Sequence, residues 1–164
     1  MAVVTLSRQL GSLGFETAER VAQRTGYRLV AREVINRAAQ RAGAPEVALA
    51  MIDELNLLGI KPSPEDIQAY LQAVKNVMME LADGGNVIIV GRAGQILLAH
   101  RAQTLHVRVV APVLLRTERL VRRLGISHEA ARAQVEASDR YHQNYFKKFY
   151  KVVFRESEIL KKFR

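Results

Sequence analysis

The first twenty-four residues carry the feature that most constrains the fold: a short apolar run, a glycine-bearing turn and an amphipathic segment, in that order. Val3 to Leu6 are β-branched or apolar, and the amphipathic segment begins near Phe15. This order predicts a strand, a loop and a helix. In a parallel α/β sheet, such a unit brings backbone N–H groups and a helix N-terminus to the carboxyl edge of the strand, where anions bind. Phosphate is the usual occupant of such a turn, which in this chain holds Gly11, Ser12 and Gly14.

This loop departs from the standard phosphate-binding signature G-x-x-x-x-G-K-[ST], in which a Lys reaches the β- and γ-phosphates and a hydroxyl binds Mg²⁺. The first lysine of the chain is Lys61. Arg8, at the entrance of the loop, is the candidate to replace the missing amine. Two other interpretations stay open: the glycines also suit a tight strand-to-helix turn in any α/β protein, and Arg8 also suits a plain surface position.

Composition limits the class of protein. A chain of 164 residues has the length of a single domain, and 49% hydrophobic with 25% charged residues is ordinary for a globular protein. No apolar run approaches the ~18 residues of a membrane span, and no signal peptide is recognisable, so we expect a cytoplasmic protein with no membrane partner. The chain has no cysteine, and its four histidines lack ligand spacing, so we predict no metal site.

The net charge of +9 and a pI near 10.3 predict an anionic partner, whether a nucleotide, a phosphorylated metabolite or a nucleic acid. Between Tyr141 and Lys151, aromatic residues alternate with lysines, a mixture that can stack on single-stranded nucleic acid. Such a stripe more often belongs to an amphipathic helix packed on the body or on a second subunit. Nucleic-acid binding is therefore the least favoured of these hypotheses.

Apolar runs alternate with segments of helical spacing along the chain, which predicts an α/β fold with a parallel sheet. Strands are predicted at 3–6, 27–31, 86–90 and 104–110, and the run at 86–90 is apolar throughout, as in a strand buried on both faces. Helices are predicted from about 15, at 32–42, 45–58, 64–82 and 95–100, and after Pro112 and Ser127. No fifth strand is recognisable except the short run 151–154, which leaves open a homodimer that completes the sheet.

Three motifs together resemble the cytidylate kinase-like family of P-loop proteins, which are similar to nucleoside monophosphate kinases. They are S-R-Q-x-G-S-x-G after the first strand, V-I-I-V-G-R at the third strand and D-R-x-x-x-N-Y late in the chain. The resemblance implies one three-layer P-loop kinase-like domain over residues 1–164, with strand order 2-3-1-4 and, in the family, a fifth strand. It also implies a helical acceptor-binding insertion at about 32–83 and a lid with a basic C-terminal helix at about 112–164.

The same resemblance implies roles for single residues. Gly11, Ser12 and Gly14 would bind the donor phosphates, and Arg92 would bind the acceptor phosphate. In the lid region, Arg116 and Arg140 would be catalytic residues, and Arg119 and Asn144 would bind the nucleotide. Arg8 at the loop entrance and Arg92 complete the expected catalytic set. Arginine forks suit this chemistry because phosphoryl transfer depends on positioning and on neutralising the oxygens of the moving group. For Asp139, an ion pair with an arginine is an open interpretation.

The expected activity is transfer of the ATP γ-phosphoryl group to a nucleoside monophosphate or similar acceptor, with ATP and Mg²⁺ implied by the resemblance alone. Cytidylate kinases carry a loop G-x-S-G-S-G-K-G-T. Aligned on Gly11 and Ser12, this chain has Arg8 at the first Gly, Leu13 at the third Gly and Gly14 at the Lys, and Val90 stands where those enzymes have an Asp. The alternative is therefore a non-catalytic relative that binds a nucleotide or another anion as a regulatory module.

Overall fold

The computed structural model describes residues 2–45, 47 and 59–152. The strands are β1 (Val3–Arg8), β2 (Arg28–Val30), β3 (Val87–Val90) and β4 (Thr104–Val109). The helices are α1 (Gly14–Thr25), α2 (Arg32–Ala42), α3 (Pro64–Gly84), α4 (Gly94–Leu97), α5 (Val113–Leu124) and α6 (His128–Tyr150). The chain divides into two compact units, one formed by Met1–Ser7 with Phe15–Arg108, the other by Arg8–Gly14 with the residues from Val109 onward.

The described strands form one parallel sheet in the order β2-β3-β1-β4, with helices flanking it. Strand β3 is central and pairs with both neighbours, since Val87 lies opposite Val3 of β1 and opposite Arg28 of β2. All four residues of β3 are buried, as expected for a strand covered on both faces. The predicted α/β class and the strand order 2-3-1-4 are therefore confirmed.

Most predicted elements agree with the structure to within one or two residues. Strand β2 is shorter than predicted, because Tyr27 and Ala31 do not pair, and the short helix α4 begins at Gly94 and ends at Leu97 rather than at His100. The helix predicted over 45–58 lies almost wholly outside the described residues, as do residues 153 and 154 of the run 151–154 that was the candidate fifth strand. The single domain over residues 1–164 stays a prediction.

Local sequence signals account for the helix boundaries. The Ser63 hydroxyl accepts a hydrogen bond from the Asp66 N–H at 3.1 Å, and Pro64 occupies the first helical position of α3. Ser127 caps α6 in the same way through the N–H of Ala130. Helix α2 ends at Gly43, whose φ of +63° is the left-handed conformation that glycine adopts without a Cβ penalty.

In the first unit, α3 packs against α2 and supplies a buried stripe. Tyr70, Val74, Val77 and Met78 are at most 1% exposed, at the predicted helical spacing. Across the surface of the same two helices, Arg41 and Arg37 of α2 pair with Glu80 of α3. Hydrogen bonding from Arg41 lowers the pKa of Glu80, but the pairs are exposed and contribute little to stability. Apolar burial thus holds α2 and α3 together.

In the second unit, α5 packs against α6 around a small apolar core. Leu120, Ala131 and Val135 are buried there, and the partly buried Leu10, Val121 and Ile126 pack against them. Further along α6, Tyr145 and Phe146 are buried and contact each other edge to face, with ring centroids 5.6 Å apart. The two central aromatic residues of the stripe at 141–151 are thus packed inside. None of the helices in the described part of the chain is both long and apolar enough to cross a bilayer.

A histidine in the first unit gives the fold a pH dependence. His106 on β4 is partly buried, and its Nδ1 lies 2.6 Å from the hydroxyl oxygen of the buried Thr5 on β1. Burial lowers the pKa of His106, and a hydrogen bond with the backbone of Leu98 opposes that effect. The folded state therefore disfavours the imidazolium relative to the unfolded chain, where the pKa is about 6.5.

We expect the free energy of unfolding to fall as the pH drops below about 6.5, because the unfolded chain then binds more protons at His106 than the folded chain does. His106→Gln should reduce that slope between pH 5 and pH 7 in urea titrations. His100→Gln, at an exposed position, is the matched control. If both variants change the slope equally, the dependence does not arise at His106.

Candidate functional site

The loop between β1 and α1 is anchored within the second unit by Gln9. Its backbone N–H donates to the Val109 carbonyl at 3.2 Å, and its side-chain oxygen accepts from the Ala111 N–H at 3.1 Å. The Ser12 N–H closes a turn by donating to the Gln9 carbonyl at 3.2 Å. Gln9 is buried, so these bonds form away from water and fix where the loop begins. Although Gln9 is part of the first motif, no role for it was predicted.

Both glycines of the loop are required by close packing. A methyl group at Gly11 would lie 2.8 Å from the Arg116 carbonyl oxygen and 3.0 Å from the Leu120 side chain, and φ at Gly11 is +77°. A methyl group at Gly14 would overlap the Cβ of Arg8 and lie 3.1 Å from its Cγ. Gly11 therefore lets the loop contact α5, and Gly14 lets the end of β1 contact the start of α1. These packing contacts account for both glycines, and phosphate binding by them stays a prediction.

Leu13 has a backbone conformation that leucine rarely adopts, with φ of +63°. A Cβ in the left-handed region costs about 1–2 kcal/mol. Glycine was expected at this position from the family pattern. Leucine in this backbone conformation has a higher conformational energy than glycine would have. The Leu13 side chain is 44% exposed, and burial of this side chain therefore recovers little of the cost.

Ser12 is the chemically distinctive residue of the loop. It is 6% exposed, and its hydroxyl is buried without a hydrogen-bond partner in the described part of the chain. The same oxygen would lie 3.4 Å from a methyl group on Gly14, the first residue of α1. An unsatisfied buried hydroxyl is costly, so its persistence beside a helix N-terminus fits a site where a bound anion supplies the missing partner.

The guanidinium of Arg116 on α5 is buried, with only 1% of the residue exposed. Its Nη1 and Nη2 donate to the two carboxylate oxygens of Asp139 on α6, at 3.1 and 2.7 Å. Its Nε donates to the Ala111 carbonyl at 2.9 Å, and Nη1 also reaches the Leu10 carbonyl at 3.4 Å. The pairing left open for Asp139 is confirmed. The catalytic role of Arg116 stays a prediction, and its donors are largely committed to the protein.

Arg119, one helical turn after Arg116, donates from Nη1 to the Gly11 carbonyl at 3.0 Å. It is partly buried. Arg140 and Asn144 lie on α6 at i and i+4, and both are exposed. The structure thus brings Gly11, Ser12 and Gly14 together with Arg8, Arg116 and Arg119 in the second unit, and places Arg140 and Asn144 on a helix of that unit. The roles predicted for Arg119, Arg140 and Asn144 stay predictions.

Arg92 belongs to the first unit, directly after β3. Gly91, Arg92 and Ala93 all have positive φ, at 81°, 52° and 56°. The Gly91 N–H donates to the Leu6 carbonyl at 2.9 Å, and the Gly94 N–H returns to the Gly91 carbonyl at 3.1 Å. Two successive non-glycine residues in the left-handed region store strain, a feature that clusters at functional positions. The phosphate-binding role of Arg92 stays a prediction.

Metal ligation finds no support in the described residues. Within residues 2–45, 47 and 59–152, no three side chains of His, Cys, Asp or Glu lie close enough together to hold a metal ion. The residue that ends β3 is the apolar Val90, as the sequence indicated. The donors of this loop are N–H groups, a hydroxyl and guanidinium groups, a set that suits an anion rather than a cation.

Comparison with known proteins identifies the family of the chain. The model of the cytidylate kinase-like family matches residues 3–159, and the chain belongs to that family. Among curated proteins, it is 29% identical over 150 residues to a cytidylate kinase of Ignicoccus hospitalis, covering 92% of this chain and 81% of that protein. Family membership supports a nucleotide kinase-like function.

Other similarities are more limited. A 69-residue stretch is 33% identical to a uronate isomerase of Corynebacterium glutamicum, but it covers 42% of this chain and 13% of that enzyme. The crystal structure of an uncharacterized protein from Eubacterium ventriosum superposes with a TM-score of 0.68 at 16% identity, covering 93% of this chain and 80% of the other. That likeness supports the fold alone.

Two substitutions in the loop should differ in their effect on stability. Gly11→Ala should lower the free energy of unfolding by about 1–3 kcal/mol, because the new Cβ is strained and contacts the α5 backbone. Leu13→Gly should change it by less than about 1 kcal/mol, because relief of the left-handed conformation offsets the larger chain entropy of glycine. Urea unfolding measures both. Equal destabilisation by the two variants would contradict the packing role of Gly11.

Proposed function

We propose that this chain is a nucleotide-binding phosphotransferase that transfers the γ-phosphoryl group of ATP to the phosphate of a nucleoside monophosphate or a similar small acceptor. The products would be ADP and the acceptor with one more phosphate. Membership of the cytidylate kinase-like family supports the class, and the cytidylate kinase of Ignicoccus hospitalis supports a nucleotide acceptor. CMP and dCMP are therefore the first acceptors to test.

The observation that carries the proposal is the buried, unpartnered hydroxyl of Ser12 against the first residue of α1. A phosphate oxygen placed there would accept from this hydroxyl and from N–H groups at the helix N-terminus, and the helix dipole would favour its charge. The loop then has an anion site even though it lacks the lysine of the standard signature. We assign this site to the phosphates of ATP.

Arg8 is the residue best placed to supply the missing positive charge. It is exposed, it ends β1, and its side-chain stem lies against Gly14 at the start of α1. A guanidinium can neutralise and orient phosphate oxygens through paired N–H donors, whereas a lysine acts as a point charge. Arg8 would thus stabilise charge on the transferred group, with Arg119, Arg140 and Asn144 of the same unit contributing further donors.

Mg²⁺ does not fit a protein-ligated site among the described residues, since no suitable carboxylate cluster is present there. We expect Mg²⁺, when it takes part, to arrive bound to the phosphates of ATP. The residues of the loop would then contact phosphate oxygens that the ion leaves exposed.

A second candidate is a regulatory relative that binds a nucleotide without turnover. Two features of the loop favour it: the absence of the lysine, and Leu13 in the left-handed conformation at a position where glycine was expected. The two candidates share the anion site and differ only in catalysis. Nucleic-acid binding has less support, because Tyr145 and Phe146 are buried and unavailable for stacking on bases.

The deciding experiment measures ADP release from ATP with a panel of nucleoside monophosphates, with and without Mg²⁺, beside calorimetric binding of ATP. Phosphotransferase activity predicts turnover that depends on the acceptor, with CMP or dCMP among the best substrates. ATP binding without turnover on any acceptor would instead favour the regulatory relative. Absence of both would contradict the nucleotide site itself.

Arg8→Ala should lower kcat/KM by more than about tenfold, which corresponds to 1.4 kcal/mol of transition-state stabilisation. The reason is the loss of a positive charge beside the loop. Arg24→Ala is the matched control, because Arg24 is an exposed arginine at the other end of α1. A kcat/KM for Arg8→Ala equal to that of the control would contradict the idea that Arg8 replaces the lysine.

A further inference from the structure

The carbonyl groups of Leu10 and Gly11 accept hydrogen bonds from two successive arginines of one helix. Arg116 reaches the Leu10 carbonyl and Arg119 reaches the Gly11 carbonyl, at 3.4 and 3.0 Å. In a planar trans peptide, the C=O of one residue and the N–H of the next point in opposite directions. Holding these two carbonyls against α5 therefore fixes the direction of the Gly11 N–H and holds in place the turn in which the Ser12 N–H donates to the Gln9 carbonyl.

Orientation of this kind is what an anion-binding loop needs. Its N–H groups must point toward the ligand, and a carbonyl turned toward a phosphate would repel it. Leu10 is held on two sides, since its side chain packs on the apolar core of the second unit while its carbonyl accepts from Arg116. Gly11 is pressed against the backbone of α5 at Arg116. The loop thus has little freedom to rotate its peptides.

The stability of the fold does not by itself require an ion pair at this position. Burying a guanidinium is costly, and replacing a buried ion pair by apolar residues of similar size is often neutral or stabilising. Asp139 neutralises Arg116 and leaves its Nε and Nη1 to satisfy the Ala111 and Leu10 carbonyls. What the pair adds over an apolar contact is a fixed set of donors at defined positions.

We propose that the ion pair of the buried Arg116 with the partly exposed Asp139 is a positioning device that sets the backbone of the loop for its anionic ligand. Arg116 acts through the Leu10 carbonyl, and Asp139 acts by neutralising and orienting Arg116. Both are positioning residues, and neither needs to touch the ligand. The identity of that ligand as ATP rests on the proposed function, whereas the ordering of the loop does not.

The test compares amide hydrogen exchange and ATP affinity in variants of the 164-residue chain. Asp139→Asn should speed exchange in the peptide covering residues 9–14 by at least tenfold in the ligand-free protein, with much smaller changes in β3 and α3. It should also weaken ATP binding by at least tenfold. Glu136→Gln is the matched control on the same helix, because it removes a carboxylate from the exposed Arg132–Glu136 pair, and it should change neither quantity.

A double variant, Arg116→Met with Asp139→Leu, separates positioning from stability. We expect it to recover the melting temperature lost in Asp139→Asn, because an apolar pair fills the space, while fast loop exchange and weak ATP binding persist because the Leu10 and Ala111 carbonyls lack donors. Arg116→Lys, which keeps the charge but not the fork, serves where the double variant does not fold, and it should also loosen the loop selectively.

Three outcomes would overturn the inference. One is a loop exchange rate in the double variant or in Arg116→Lys that equals the wild-type rate. Another is faster exchange in Asp139→Asn that is spread evenly over the chain. The third is loosened exchange at the loop with unchanged ATP affinity. If the proposed function is wrong, the wild-type protein will bind no ATP. The exchange measurements on ligand-free protein will still report whether the pair orders the loop.

Discussion

The ion pair between the buried Arg116 and the partly exposed Asp139 is the interaction around which the loop of the second unit is ordered. One guanidinium joins three parts of the chain: the loop after β1 through Leu10, the segment after β4 through Ala111, and α6 through Asp139. A buried arginine can do this because its donors lie in a plane and point in several directions at once. A lysine in its place would supply charge without that geometry, and an apolar residue would leave carbonyl oxygens unsatisfied.

The loop after β1 shows how the same glycines can serve two purposes. Glycine in a strand-loop-helix unit is usually explained by close approach of the backbone to phosphate. Here Gly11 is needed because α5 lies against it, and Gly14 because Arg8 does. The feature that points to an anion is instead Ser12, whose buried hydroxyl has no partner. In this family member, the packing of the loop and its chemistry are therefore carried by different residues.

Loss of the loop lysine changes how positive charge is distributed around the proposed site. Arg116 and Arg119 of α5 are engaged with backbone carbonyls, and Arg116 is also neutralised by Asp139, whereas Arg8 and Arg140 are exposed. Arg116 and Arg119 therefore order the loop, whereas Arg8 and Arg140 carry positive charge that a ligand can reach. This division suits a positively charged chain, since anions are attracted by the net charge while specificity depends on a few oriented donors.

The sequence alone determined the burial of β3 and the boundaries of most helices, because these follow from local patterns: apolar runs, serine caps, glycine at helix ends. The strand order was implied by the resemblance to the family. The sequence also located the loop and raised the pairing of Asp139 with an arginine. It could not select Arg116 as the partner, since residues 116 and 139 lie on different helices and several arginines have equivalent spacing. Only the tertiary structure decided which glycine contacts which neighbour, which hydroxyl is left without a partner and which arginines are buried, because packing between distant segments sets all three.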